Sequence, residues 1–200
     1  MLKKIVLSAA LSLSLYAMHN AEININDKDL EASFKLDMGQ FNDTVAPDTT
    51  YLGVKYLKAS DSYSEYENNA QADLGYYFDV DFLIKQEIKN SGFYFGLGVK
   101  GVFSEANDVS FSAIPLGVEA MYKLPIKNFI PISFGVEAYY APESLSFSNS
   151  QSYLEYRGEL SAEIIERGSI YVGYRNIDTN YLNIDLTYNK SAYFGFKFKF

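Results

Sequence analysis

Two hundred residues carrying a net charge of −8, one histidine and no cysteine fit a single domain and exclude a good deal of chemistry. No thiol nucleophile, thiolate metal site or disulfide framework can be built, and a Ser-His-Asp triad or histidine metal cluster has only His19 to draw on. The acidic balance also denies nucleic-acid phosphates the basic surface they require.

The chain opens with Met1-Leu2-Lys3-Lys4, an apolar run from Ile5 to Leu15, and Tyr16-Ala17. A charged start, an apolar run shorter than the roughly 20 residues of a spanning helix, and a small residue at the end describe a secretory signal peptide. Residues 1–17 are expected to be that signal, with Ala21 as the alternative cleavage point, and residues 18–200 the mature domain. Removal of Lys3 and Lys4 leaves the mature chain more acidic still. Nothing after the signal is apolar for long enough to span a bilayer as a helix, so any membrane crossing must be made by strands.

Strict alternation, the mark of strands with two unlike faces, begins at Glu22-Ile23-Asn24-Ile25 and resumes after turn chemistry at Asn26 to Asp29. Leu30, Ala32, Phe34, Leu36 and Met38 oppose Glu31, Lys35 and Asp37, and Leu52, Val54 and Tyr56 oppose Lys55. Ala72 through Phe82 at every second position oppose Asp73, Gly75, Asp79 and Asp81. Phe93, Phe95, Leu97, Val99 and Phe103 then oppose Gly96, Gly98 and Lys100. Ile114 to Tyr122 oppose Glu119 and Lys123, and Ile130 to Tyr140 oppose Glu137. Leu154, Tyr156, Leu160 and Ile164 oppose Glu155, Arg157, Glu159 and Glu163; Val172 and Tyr174 oppose Arg175; Phe194, Phe196, Phe198 and Phe200 oppose Lys197 and Lys199.

Alternation alone fits a soluble sandwich as well as a membrane barrel. Two features favour the barrel. The chain closes on aromatic residues at alternate positions, Phe194, Phe196, Phe198 and Phe200, which resemble the signal read by the barrel-assembly machinery. Tyr56, Tyr122, Tyr140, Tyr156 and Tyr174 stand on the apolar face near strand ends, where an interfacial aromatic girdle belongs. The expected fold is an all-β, transmembrane, antiparallel up-and-down barrel of about ten strands, with eight as the alternative. Counting back from Phe200 puts short turns at Pro125 to Asn128 and Glu166 to Ser169 on the periplasmic side. Longer loops at Ser60 to Asn68, Ala141 to Gln151 and Asp178 to Lys190 fall outside.

So narrow a barrel should fill its lumen with side chains. The proposed lumen face carries Lys35, Lys55, Lys100, Lys123, Arg157, Arg175, Lys197 and Lys199. With them stand Glu31, Asp37, Asp73, Asp79, Asp81, Glu119, Glu137, Glu155, Glu159 and Glu163. Near-balanced signs suggest a paired polar plug, because an unpaired interior charge is costly. Glycines on the same face make room for the larger side chains.

The C-terminal half resembles the YfaZ family of outer-membrane proteins. The residues that carry this are Glu137-Ala138-Tyr139-Tyr140-Ala141-Pro142-Glu143-Ser144-Leu145, Tyr171-Val172-Gly173-Tyr174-Arg175, and Tyr193-Phe194-Gly195-Phe196 through Phe200. The resemblance implies an outer-membrane barrel and brings no catalytic residue set with it.

The expected function is a structural or surface-interaction barrel in the outer membrane of a Gram-negative bacterium. Its partners would be outer-membrane lipid, lipopolysaccharide and the barrel-assembly machinery. A narrow channel for small solutes or ions is the alternative, and a soluble periplasmic lipid-binding barrel a further one. An enzyme is not expected, nor any cofactor or metal. The carboxylates of Glu155, Glu159 and Glu163 could supply a raised-pKa acid, but a salt-bridge network explains them better. Asp79, Asp81 and Glu87 lack calcium-loop spacing and are expected to be solvated. Tyr139 and Tyr140 are expected to anchor a strand at the interface.

Overall fold

The computed structural model describes residues 19–61, 64–66, 72–126, 130–182 and 184–200. The expected signal peptide therefore lies outside the described residues, as do parts of the expected loop at Ser60 to Asn68 and of the turn at Pro125 to Asn128.

The sequence periodicity becomes thirteen strands: β1 (Asn20–Ile25), β2 (Leu30–Asp37), β3 (Thr50–Lys58), β4 (Glu65–Tyr66), β5 (Leu74–Glu87), β6 (Phe93–Ala106), β7 (Val109–Ala113), β8 (Leu116–Lys123), β9 (Ile132–Ala141), β10 (Ser146–Ser148), β11 (Ser150–Ile165), β12 (Gly168–Tyr181) and β13 (Leu186–Lys199). Ten of them close a ring, β1-β2-β3-β5-β6-β8-β9-β11-β12-β13, in which every neighbouring pair is antiparallel. Closure leaves the long strands no open edge. β7 and β8 are one line along β6, interrupted at Ile114-Pro115, where the Lys100 amide still donates to the Pro115 carbonyl at 2.9 Å. β10 lengthens the wall beside β7, and β4 adds two residues against β13.

Turn chemistry sets the connections. Asn107 and Asp108 both take positive φ, 51° and 60°, as a two-residue hairpin turn between right-twisted strands requires. The two ends of the described chain meet: His19 and Phe200 exchange reciprocal backbone hydrogen bonds of 3.0 Å. The imidazole Nδ1 of His19 accepts from the Asp37 amide at 3.1 Å, and its ring stacks on Phe41. The only histidine is thus a clamp at the mouth that carries both chain ends.

Two strands outrun the sequence reading. The segment Asp178 to Lys190, expected as a long loop, is mostly strand, with β12 continuing to Tyr181 and β13 starting at Leu186. A register shift between Ile177 and Asp178 changes the phase there and hides the alternation. A second shift, between Leu74 and Tyr77, breaks the run that begins at Ala72.

The two faces are inverted relative to a water-soluble barrel. Exterior positions are apolar and open, among them Leu97 at 59 %, Leu116 at 57 %, Val172 at 54 % and Phe134 at 50 % exposure. Tyr56, Tyr122, Tyr140, Tyr156 and Tyr174 all face outward. The interior divides into two zones. Next to the rim opposite the chain ends lies an apolar and tyrosine-rich cluster that includes Leu57, Tyr77, Val102, Phe111, Tyr153, Ile177 and Tyr188. Nearer the chain ends the lining is charged.

Candidate functional site: the charged interior

Alternation delivers one charge to the lumen every second residue, and closure of the ring brings those charges within bonding distance. Glu155 on β11 is the hub. Its carboxylate meets Lys55 at 3.3 Å, Lys100 at 2.6 Å and the Arg157 Nε at 2.7 Å, and accepts from the Tyr153 hydroxyl at 2.9 Å. Glu155 itself is fully buried. Lys55 also reaches Asp79 at 3.1 Å, and Tyr77 bridges Asp79 and Tyr153 through its hydroxyl.

From Arg157 the network crosses the barrel. Its two terminal nitrogens donate to both oxygens of Glu31 at 2.7 and 2.8 Å, the bidentate geometry in which a guanidinium binds a carboxylate best. Its Nε also lies 3.0 Å from Glu137. Arg175 then joins Glu31 at 3.2 Å to Asp29 at 3.1 Å and donates to Asn189 at 2.7 Å. Asn189 and Ser191 complete the coordination of Asp29 by donating to its Oδ2. Desolvating a charge costs several kcal/mol, an amount offset only when every lobe of the ion is engaged. Engagement on all sides is what Glu155, Arg157 and Arg175 have.

Toward the chain ends the packing loosens into a cavity of about 160 Å³ with Glu22, Lys35, Asp81, Glu119, Glu159 and Lys197 in its wall. Pairs here are longer or partly exposed: Lys35 to Asp81 at 3.6 Å, Lys35 to Glu119 at 3.8 Å, Lys197 to Glu22 at 2.9 Å. Walls this polar suit ordered water. Tyrosines turn the remaining carboxylates, Tyr139 donating to Glu119 at 2.8 Å and Tyr193 to Glu159 at 2.7 Å. At the mouth, Asp48 in the β2–β3 turn is raised by burial, but the nearby Lys85 and Lys199 and a hydrogen bond from Tyr51 hold it below the usual carboxylate range.

Glycines admit the tyrosines. Gly117 is the register partner of Tyr139, Gly173 of Tyr193 and Gly195 of Tyr171, and in each pair the ring lies over the glycine. A Cβ on any of the three would fall inside the van der Waals envelope of that ring. Gly98 gives way to the Tyr139 hydroxyl in the same manner, and Gly53 to the Asp81 carboxylate. Gly195→Val should therefore destabilise the folded barrel by about 1–3 kcal/mol, the usual cost of overpacking. The denaturant midpoint of the folded band on a gel would read it; an unchanged midpoint would mean the Tyr171 ring moves freely.

Of the charges read from the sequence, Lys35, Lys55, Lys100, Glu119, Glu137, Glu155, Arg157, Glu159, Arg175 and Lys197 line the interior and come together there. Glu31, Asp79 and Asp81 join them. The two aspartates are buried rather than solvated, and Glu87 stands apart from them, capping the Gly92 amide. Asp37 is buried but serves the β2–β3 turn, accepting from the Gly39 and Asp48 amides. Asp73 is exposed because the register shift in β5 takes it out of phase, and Glu163 is exposed at the β11 end, where it accepts from the Arg167 amide. Lys123 is an exposed rim residue beside Tyr94. Tyr139, expected at the interface, points inward under the Lys100 ammonium, 3.8 Å from its ring centre; Tyr140 is the outward member of the pair. Sequence reasoning omitted two network members. Glu22 shares its phase with Asn24 and was legible from that, whereas Asp29 sits in a turn where no periodicity points inward.

The fold and interior define a small closed antiparallel β-barrel, apolar outside, charged and packed within. A family model described as the YfaZ precursor matches residues 2–200. The chain belongs to the YfaZ family. No curated protein matches it. Among the described residues no group of three or more acidic, histidine or cysteine side chains is arranged to hold a metal ion.

Proposed function

We propose that the mature chain is an outer-membrane barrel of a Gram-negative bacterium, exported by residues 1–17, with a structural or surface-interaction role and no catalytic one. The direction of the faces carries this reading. A continuous apolar exterior around a charged interior is stable when lipid surrounds the wall, and water penalises the same exterior over its whole girth. A soluble lipid carrier needs the opposite arrangement. The aromatic C-terminal residues Phe194, Phe196 and Phe198 face outward, and Phe200 pairs with His19 at the seam, as a segment presented to the assembly machinery would.

Two observations oppose the enzymatic and channel readings. Along β11 each carboxylate meets a cation, a tyrosine or an amide rather than a second carboxylate: Glu155 the lysines and Arg157, Glu159 Tyr193, Glu163 the Arg167 amide. The cavity ends at Lys55, Lys100 and Arg157, beyond which the apolar cluster fills the lumen. The barrel is therefore a blind vestibule open toward the periplasm. In planar bilayers the protein should give no steady single-channel steps. Steps whose size changes with Arg157 or Arg175 substitution would overturn the plugged reading in favour of a channel.

A further inference from the structure

Toward the chain ends the lumen is not packed shut. The cavity of about 160 Å³ there has a wall whose charges balance, six acids against six bases. Glycines keep side chains out of it. Gly96 is the β6 partner of Glu119, and Gly135 is the β9 partner of Met121, all three in the wall. A Cβ on Gly135 would meet nothing closer than the Ala120 carbonyl at 3.9 Å, so the space over it belongs to the cavity. An apolar cavity of about 150 Å³ holds a benzene ring, so this one has room for a molecule of about six heavy atoms.

Several polar groups of that wall are left unfinished by the chain itself. Glu119 and Glu137 are register partners on β8 and β9. Glu119 meets the Tyr139 hydroxyl and Lys35 through Oε1, and Glu137 meets Lys100 and Arg157 through its own Oε1. Oε2 of each is left to the cavity that both residues line. Carboxylates directly opposite one another on neighbouring strands repel, so a further cation between them is favoured. Among the described residues no third acid or histidine joins the pair in an arrangement for a metal ion. Lys35, half-buried, lies 3.8 Å from Glu119 and 3.6 Å from Asp81, beyond hydrogen-bond length, so its ammonium keeps donors to spare. Asn20, Lys35, Gly53 and Asp81 are successive register partners along β1, β2, β3 and β5. On that row Asn20 Oδ1 and Asp81 Oδ2 are buried without a hydrogen-bond partner among the described residues. Buried polar groups are nearly always satisfied, and this row is not satisfied from within.

We propose that the cavity binds a small zwitterion, an α-amino acid drawn from the periplasm, with its ammonium between Glu119 and Glu137 and its carboxylate on Lys35. In such a molecule the two charged groups share one carbon, so they can address an acid and a base that themselves stand 3.8 Å apart. The balanced wall offers no net charge to hold an ion of one sign. Lys35 repels a simple amine, and Glu119 and Glu137 repel a simple carboxylate. The site needs only the fold; its supply from the periplasm rests on the outer-membrane reading.

Saturation-transfer NMR of the full mature chain, folded in deuterated detergent, tests it with L-alanine, propionate and ethylamine titrated in turn. The last two each keep one charged end and nearly the same size. L-alanine should saturate, and either half-molecule should bind on the order of tenfold more weakly for want of one set of charge-assisted hydrogen bonds. Gly135→Leu fills the cavity and should abolish the alanine signal. Gly158→Leu, on the outward phase of β11 with nothing within 4 Å of a Cβ, should match the parent. Lys35→Met should erase the preference for L-alanine over ethylamine. No saturable alanine signal, alanine no better bound than the half-molecules, or parent-like behaviour of Gly135→Leu or Lys35→Met, in protein that shows a heat-sensitive folded band, means that the cavity holds water alone and overturns the site. Protein that stays soluble without detergent overturns the outer-membrane reading and the periplasmic supply, and the same titration in buffer then judges the site.

Discussion

Glu155→Gln should lower the free energy of unfolding by about 3–5 kcal/mol, the cost of stripping one member from a buried ionic cluster. The substitution keeps size and shape and removes only the charge, leaving Lys55, Lys100 and Arg157 to face one another around a neutral amide. Three cations crowded in an interior without their counter-ion are the source of the penalty, rather than the loss of any one hydrogen bond. The effect is read as a fall in the urea midpoint of barrel refolded into lipid vesicles, followed by the gel shift of the folded band. Lys100→Met in the same background should recover part of the loss, because a coupled pair is non-additive. Strict additivity of the two substitutions would mean that Glu155 and Lys100 do not act on each other.

Leu97→Arg should cost about 2–4 kcal/mol in a bilayer, since Leu97 lies on the exterior well inside β6 and an arginine there faces hydrocarbon. The same change at Tyr140, near the rim end of β9, should cost about 0–1 kcal/mol, because the penalty falls toward the interface. Depth dependence separates two causes of destabilisation. A surface substitution on a water-facing wall stays within about 0.5 kcal/mol at either site. Equal, small effects at both positions would therefore place water rather than lipid against the exterior.

How far the sequence alone leads can be judged strand by strand. The ten-stranded ring and the phase of nearly every strand follow from alternation, because a period of two cannot slip without moving a charge from the lumen to the exterior. That is why Glu155, Arg157 and Arg175 fall on the inner face from the sequence alone. Alternation fails where both faces turn apolar. Leu57, Tyr77 and Val102 line the lumen near the far rim, and with Tyr56, Tyr76 and Phe103 next to them on the outer face no contrast survives to mark the inner one. The alternation marks the paired charges of the expected polar plug, whereas the apolar cluster at the far rim has no such signature. Register shifts removed Asp73 from the interior and extended β12 and β13 through a presumed loop. Asp29 illustrates a different gap: a turn residue has no phase, and only closure of the ring brings it to Arg175.

The hub at Glu155 also explains how the interior holds so many charges. Several cations serve two or more acids, as Lys55 does for Asp79 and Glu155, and Arg157 for Glu31, Glu137 and Glu155. Such sharing ties strands on opposite sides of the barrel to one another. A channel would have to break several of these contacts together.

The most direct test of the central claim is fractionation of expressing cells followed by electrophoresis of each fraction with and without boiling. The account predicts that the protein is in the outer-membrane fraction and migrates differently once heated, because a closed barrel in an apolar surround resists detergent at room temperature. A protein recovered from the soluble periplasmic fraction, with one mobility before and after boiling, would contradict it.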